Sequence, residues 1–254
     1  MATKIGIRQL VEFVLRQGDL NEIKNSQNTA LNGAKIHRQL QSSRGEDYDS
    51  EVYLKKIVTM NDTDYIIAGR ADGIQLNDDG ALIEEIKTSD QVFEDLSTNT
   101  LTLYWGQIKV YGYLLLQEHP DLEQVTLQLT YFQVINEKIT KTQQILHRGE
   151  LDAFFHDLIT EYEYWLTLRA DLRRQRNASI EDLPFPFPAF RPGQHELAGA
   201  VYKTIRLQKR LFVEAPTGTG KTISTLFPAI KAMGEDVIER LFYLTAKQST
   251  RHVA

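Results

Sequence analysis

Residues 65–88, YIIAGRADGIQLNDDGALIEEIKT, read as two strands joined at a turn, and the charges they carry limit how such a hairpin can be built. In a strand, residues two apart point the same way. Leu82, Glu84 and Ile86 therefore share one face, while Ile83, Glu85 and Lys87 share the other. Each face mixes aliphatic carbon with charge, so some of the charges must lie in water, pair with one another or serve chemistry. NDDG supplies the turn. Centred on Asp78 and Asp79, it sets Asp72 opposite Glu85; centred on Asp79 and Gly80, it sets Asp72 opposite Lys87. Either way Asp72, Glu85 and Lys87 share one face. Facing carboxylates with Cβ atoms roughly 5 Å apart repel unless positive charge sits between them. A divalent metal meets that need, and Lys87 could then orient and polarise an attacking water. Glu84, of opposite parity, is expected to have a structural or solvent role.

The remaining periodicity predicts helices at about residues 4–17, 29–41, 101–117 and 151–174, with strands at 52–59, 125–134 and 138–147. The first helix carries an apolar stripe of Ile7, Leu10, Val11, Val14 and Leu15; the last carries one from Phe154 to Leu166. This mixture reads as an α/β domain over residues 1–176. Residues 177–192 contain LPFPFPAFRP, where Pro184, Pro186, Pro188 and Pro192 forbid a continuing helix. The interleaved Phe185, Phe187 and Phe190 suggest a linker that packs on something. Residues 193–254 then offer a helix at 193–205, a strand at 210–214, a Gly-rich turn, a helix at 221–233 and a strand at 241–245. That order begins a parallel nucleotide-binding sheet but cannot cover both its faces, so the sequence reads as the N-terminal fragment of a longer protein. No internal repeat is evident.

The Gly-rich turn EAPTGTGKT (214–222) matches a P-loop, with Ala215 in place of the first glycine. Ala215, Pro216, Thr217, Gly218, Thr219 and Gly220 would turn backbone N–H groups toward phosphates at a helix N-terminus. Lys221 would reach the β- and γ-phosphates of ATP, and the Thr222 hydroxyl would sit on Mg2+. The loop resembles that of superfamily 2 helicases. FRPGQHELAGAVYKTI (190–205) resembles their adenine-reading segment, which makes Arg191 and Gln194 the adenine-side contacts. FYLTAKQSTRHVA (242–254) resembles their DNA-backbone motif Ia. Together these are most similar to the Rad3/XPD/DinG branch of DNA helicases, over residues 190–254 only. The later metal-and-water motif and the arginine finger are not in the sequence, and hydrolysis needs them. The chain by itself is not expected to be a competent ATPase.

The spacing Asp72-x12-Glu85-x-Lys87 resembles the active site of PD-(D/E)xK nucleases. In that family the Asp and Glu hold Mg2+ or Mn2+ with the carbonyl of the intervening residue, here Ile86. GAKIH (33–37) resembles the Gly-x-x-x-His element of the RecB-like branch and makes His37 a further metal ligand. QIKVY (107–111) resembles its Gln-x-x-x-Tyr element, and a spacing of four sets Gln107 and Tyr111 on one helix face. The resemblance implies an α/β, restriction-endonuclease-like domain followed by the start of a P-loop (RecA-like) helicase domain. It departs from the family in two places: RAD stands where the motif's PD belongs, and the four cysteines of an iron–sulfur staple are missing.

The chain has 254 residues and no cysteine, so disulfides, thiolate zinc and Fe–S clusters are excluded from this segment. No apolar run approaches the roughly 20 residues of a membrane span, and no signal peptide opens the sequence; a cytoplasmic protein is expected. A net charge of −5 argues against a wholly basic nucleic-acid binder but leaves room for a local basic groove. Arg169, Arg173, Arg174 and Arg176 could form one, or could be a solvated helix end. The leading expectation is a metal-dependent DNA nuclease joined to an ATP-driven helicase in DNA repair or recombination, acting on single-stranded DNA or single-stranded ends. Three others stand beside it: a helicase with a non-catalytic DNA-binding module, a restriction-system motor subunit, and a structural ATPase accessory.

Overall fold

The computed structural model describes residues 2–18, 30–77, 80–216 and 218–245. These divide into two compact units, 1–166 and 167–254, with the division falling inside one long helix.

The first unit is built on a mixed six-stranded sheet. Its strands are β1 (Thr3–Gly6), β2 (Tyr48–Met60), β3 (Thr63–Asn77), β4 (Gly80–Ser89), β5 (Gln124–Gln133) and β6 (Lys138–His147). Its helices are α1 (Ile7–Leu15), α2 (Ala30–Ser42), α3 (Thr98–Glu118) and the first part of α4 (Arg148–Glu181). Residues 4–6 were expected to be helical; with Thr3 they are instead a strand, pairing parallel to Tyr65–Ala68 of β3. Four residues are too few for a periodicity to distinguish helix from strand, and the ladder decides. β2 and β3 meet at Asn61 and Asp62, both at positive φ, the two-residue turn whose twist suits a hairpin.

β3 has two different neighbours along one edge. Its first half pairs with β1 up to Ala68, and its last residues pair with β4 from Gly73 to Asn77. Beyond Glu84, β4 continues alongside β5 alone. The sheet therefore forks at residues 69–72 of β3. The register pairs Gly73 with Glu84 and Asn77 with Gly80, which is the alternative that sets Asp72 toward Glu85; the turn residues Asp78 and Asp79 lie outside the described residues.

α3 covers the sheet with Ile108, Tyr111, Leu114 and Leu115, and α1 and α4 add Leu10, Val11, Phe155 and Leu158 to the same core. Gly106 lets α1 and α3 approach closely: a Cβ there would lie 2.6 Å from a Leu15 methyl. α2 carries Ile36 and Leu40 into a smaller cluster with Ile86.

Glu84 points to that second side of the sheet and is 0% exposed, so only the structural half of its expected role stands. Its carboxylate accepts two hydrogen bonds from Arg44 and one each from Tyr48, Gln128 and Thr130. Gln143 extends the network by donating to Gln128 at 2.8 Å. Gly73 makes room for it, since a Cβ there would overlap the Tyr48 ring. Burial alone would raise the Glu84 pKa, but the donors from Arg44, Thr130 and Tyr48 together outweigh it and hold the group below its ordinary value.

In the second unit, α4 runs on to Glu181, so residues 177–181 are helix and not linker. The reason is local: the first proline is Pro184, and a helix need only stop before the residue preceding it. Phe185 stacks on Phe190 at 3.9 Å and meets Phe227 edge-on at 5.3 Å, so the proline-rich segment does pack. α5 (Gln194–Arg206) and α6 (Lys221–Gly234) form as expected. Residues 210–214 and 241–245 do not form strands. A strand exists through a hydrogen-bonded neighbour; neither segment has one among the described residues, and Phe212 and Leu244 stay 93% and 90% exposed. The arginines of α4 are paired: Arg169 with Glu239, Arg173 with Asp236 and Glu239, Arg176 with Asp236, and Arg174 with Asp171. Four guanidiniums thus share three carboxylates, which offsets most of their charge and favours a solvated helix side over a free basic groove. No helix is long and apolar enough to cross a membrane among the described residues.

Replacing Glu84 by Ala should destabilise the first unit by about 3 kcal/mol, because the largely buried Arg44 guanidinium is left without its partner. A carboxylate whose pKa is depressed on folding stabilises fully above its unfolded value of about 4.3 and loses that contribution as pH falls through the folded value. Denaturant titrations should therefore show the gap between wild type and Glu84→Ala closing below that pH.

Candidate functional site

The fork in the sheet opens a cleft of about 390 Å3 lined by Arg8, His37, Asp72, Glu85, Lys87, Tyr104 and Gln107, among others. Where β4 leaves β3, the Ile86 N–H loses its ladder partner, and Asp72 Oδ2 takes the bond at 2.7 Å. That contact turns the Asp72 side chain toward β4. From α2, His37 Nδ1 stands 3.4 Å from Asp72 Oδ1. The hydrogen bond to Asp72 raises the imidazole pKa, against the opposing effect of burial.

Glu85 faces the cleft and is 3% exposed. Its Oε1 accepts from Lys87 Nζ at 2.5 Å, while its Oε2 is buried without a hydrogen-bond partner. Burial pushes the carboxyl up to about 7; the Lys87 ammonium opposes the rise and the Asp72 charge adds to it. Lys87 also donates to Gln107 Oε1 at 3.0 Å and lies over the Tyr104 ring at 5.2 Å. Tyr111, one turn beyond Gln107, is buried; it occupies the space left by the missing side chain of Gly69, where a Cβ would sit 2.7 Å from its hydroxyl.

The structure thus brings His37, Asp72, Glu85, Ile86, Lys87, Gln107 and Tyr111 together around one fork. Among the described residues no three His, Asp or Glu side chains form a ready-made ligand cluster. Two carboxylates and an imidazole in one cleft, with one carboxylate oxygen buried and unsatisfied, still make a donor set that suits a divalent cation. Sequence reasoning missed Tyr104 and Arg8. Tyr104 could have been found, since it lies three residues before Gln107 on the same helix side; nothing in the pattern around Arg8 marks it.

The second unit has its own site. Gly218 and Gly220 adopt φ of 86° and 75°, values that favour glycine, and α6 starts at Lys221. Lys221 Nζ folds onto the carbonyls of Ala215 and Pro216 at 2.8 and 2.7 Å. Arg191 donates to the Gly218 carbonyl at 2.5 Å, and buried Gln194 accepts from the Arg191 N–H and lies against Gly220. Both expected adenine-side residues therefore touch the loop. They line, with Pro186, Phe187 and Ile223, a pocket of about 510 Å3. The Thr222 hydroxyl lies 3.3 Å from that of Tyr243. Thr217 and the motif-Ia-like residues 246–254 lie outside the described residues.

Because Lys87 holds Glu85 down, Lys87→Met should move the Glu85 pKa above about 7. Carboxyl carbon chemical shifts followed across pH would show the displacement.

No family model matches the chain. A stretch of 46 residues is 44% identical to part of a probable ATP-dependent helicase of Methanocaldococcus jannaschii, covering 18% of this chain and 7% of that protein. The chain therefore matches only a small fraction of that relative's length. The crystal structure of SSO0001 aligns with 63% of this chain and 77% of its own, at 20% identity and a TM-score of 0.41. The similarity to known proteins is distant and partial, and on the sequence side it is to a helicase.

Proposed function

We propose that the first unit is a metal-dependent deoxyribonuclease and the second the beginning of an ATP-dependent helicase motor. The observation that carries the nuclease reading is the placement of Asp72, Glu85 and Lys87 on one side of the forked sheet, with Gln107 fixing Lys87. Asp72, Glu85 and His37, with the Ile86 carbonyl, would hold the cation. Mg2+ or Mn2+ bound there supplies Lewis acidity toward a phosphodiester and a more acidic water. The chain's own contribution is positional. Ile86 N–H and His37 orient the Asp72 carboxylate from two sides. Lys87 places a cation beside Glu85, where it can attract the phosphate and orient the nucleophilic water. Gln107 keeps Lys87 from swinging away.

The motor reading draws on the P-loop backbone and on the short similarity to a helicase. Lys221 and Thr222 would meet the phosphates and the Mg2+ of ATP, and Arg191 and Gln194 its adenine. DNA, with single-stranded character at the cut end, is the substrate this reading assigns.

End-labelled single-stranded DNA should be degraded by the wild type with Mn2+ or Mg2+ and not with chelator. Glu85→Ala and Lys87→Ala should each slow cleavage on the order of 100-fold or more. Metal-independent DNA binding without any cleavage would make the unit a recognition module and sink the nuclease reading. Separately, Lys221→Ala should abolish binding of a fluorescent ATP analogue; retention of binding would count against the motor reading.

A further inference from the structure

α2 presents His37 and Gln41 four residues apart on one helix side, and Arg44 follows just beyond its C-terminal end at Ser42. Each meets a different group of the forked sheet. His37 stands beside the Asp72 carboxylate, Gln41 Nε2 donates to the Asp72 main-chain carbonyl at 2.8 Å, and Arg44 holds Glu84.

The middle contact answers a defect in the sheet. The β2–β3 ladder runs from Tyr48–Gln75 to Met60–Thr63 but omits one pair, Glu51 with Asp72. Ser50–Gly73 and Val52–Ala71 keep the same register on either side, so no residue has been inserted. Glu51 instead adopts a left-handed φ of 57°, costly for a residue with a side chain. Asp72 thereby loses its cross-strand partner on the β2 side at the very residue where β4 has also left. The Gln41 amide fills the place, bonding the Asp72 carbonyl and reaching Glu51 Oε1 at 3.3 Å.

We infer that Gln41 is a positioning residue for the cleft: its amide replaces the ladder partner that the Glu51 backbone withdraws, and so fixes Asp72 for its contacts with Ile86 and His37. The assignment of a cleft function to Asp72 rests on the nuclease reading above; the mechanical role of Gln41 does not. Gln41 is half-buried and outside both apolar clusters, so its replacement spares the core.

The test uses the full chain with Gln41→Met, which keeps length but lacks the donor, and Gln41→Ala. Two measurements are made. Amide hydrogen exchange is followed at Ile86, whose N–H reports directly on the Asp72 carboxylate, and at Leu129 of β5 as an internal control. Mn2+ alone is titrated into wild type and variants. The expected result is exchange at Ile86 faster on the order of tenfold with Leu129 unchanged, and Mn2+ affinity weakened by about tenfold. Unchanged exchange at Ile86 in both variants overturns the proposal, as does unchanged Mn2+ affinity when the wild type binds the ion. A wild type that takes up no Mn2+ sinks the metal reading of the cleft instead, and the exchange comparison then decides the role of Gln41 alone.

Discussion

Everything at the first unit's cleft depends on β3 changing partners partway along its length. A continuous ladder would satisfy every backbone group at Asp72 and Ile86 and leave no reason for a carboxylate to turn inward. Because β1 stops at Ala68 and β4 leaves after Glu84, main-chain groups are freed where two acidic side chains converge. A freed N–H in a partly buried place must find an acceptor, and Asp72 provides it. The acidic centre is thus held by the same unsatisfied backbone that the fork creates.

The two faces of β4 solve opposite electrostatic problems with neighbouring residues. Glu84 is surrounded by donors and holds its charge to lower pH than an ordinary carboxylate, while Glu85 has a single lysine and a bare oxygen and so resists ionisation. Desolvation acts on both, and the number of donors decides which way each goes. A carboxylate with every lone pair satisfied holds structure together. One left short of partners is available to bind something.

Much of this could be read from the sequence because strand parity is a rigid rule. Alternation alone set Asp72, Glu85 and Lys87 on one face and Glu84 on the other, and the turn signal limited the register to two choices, one of which forms. The helical spacing of Gln107 and Tyr111 likewise set both on one face of α3, from which Gln107 reaches the lysine. The donors to Glu84 were beyond reach: Arg44 and Thr130 stand 40 and 46 residues away in sequence, and no local pattern joins them. Residues 4–6 were misread because pairing, which is non-local, overrode a short helical pattern. The segments 210–214 and 241–245 were misread for the converse reason, since apolar content implies a strand only when a neighbour is there to make the ladder. The phosphate-type loop was legible because glycines at positive φ and a lysine at a helix start are local requirements.

The side-by-side placement of Glu84 and Glu85 also bears on how the chain finds its fold. A slip of β4 by one residue would turn Glu84 toward the cleft and bring either Ile83 or Glu85 into its place beside Arg44, Tyr48, Gln128 and Thr130. With Ile83 there, the partly buried Arg44 guanidinium loses its counter-charge; with Glu85 there, Lys87 is moved into the place of Ile86, against Ile36 and Leu40. The polar network and the small apolar cluster behind the sheet thus work together as a proofreader of strand alignment, each penalising one direction of slip.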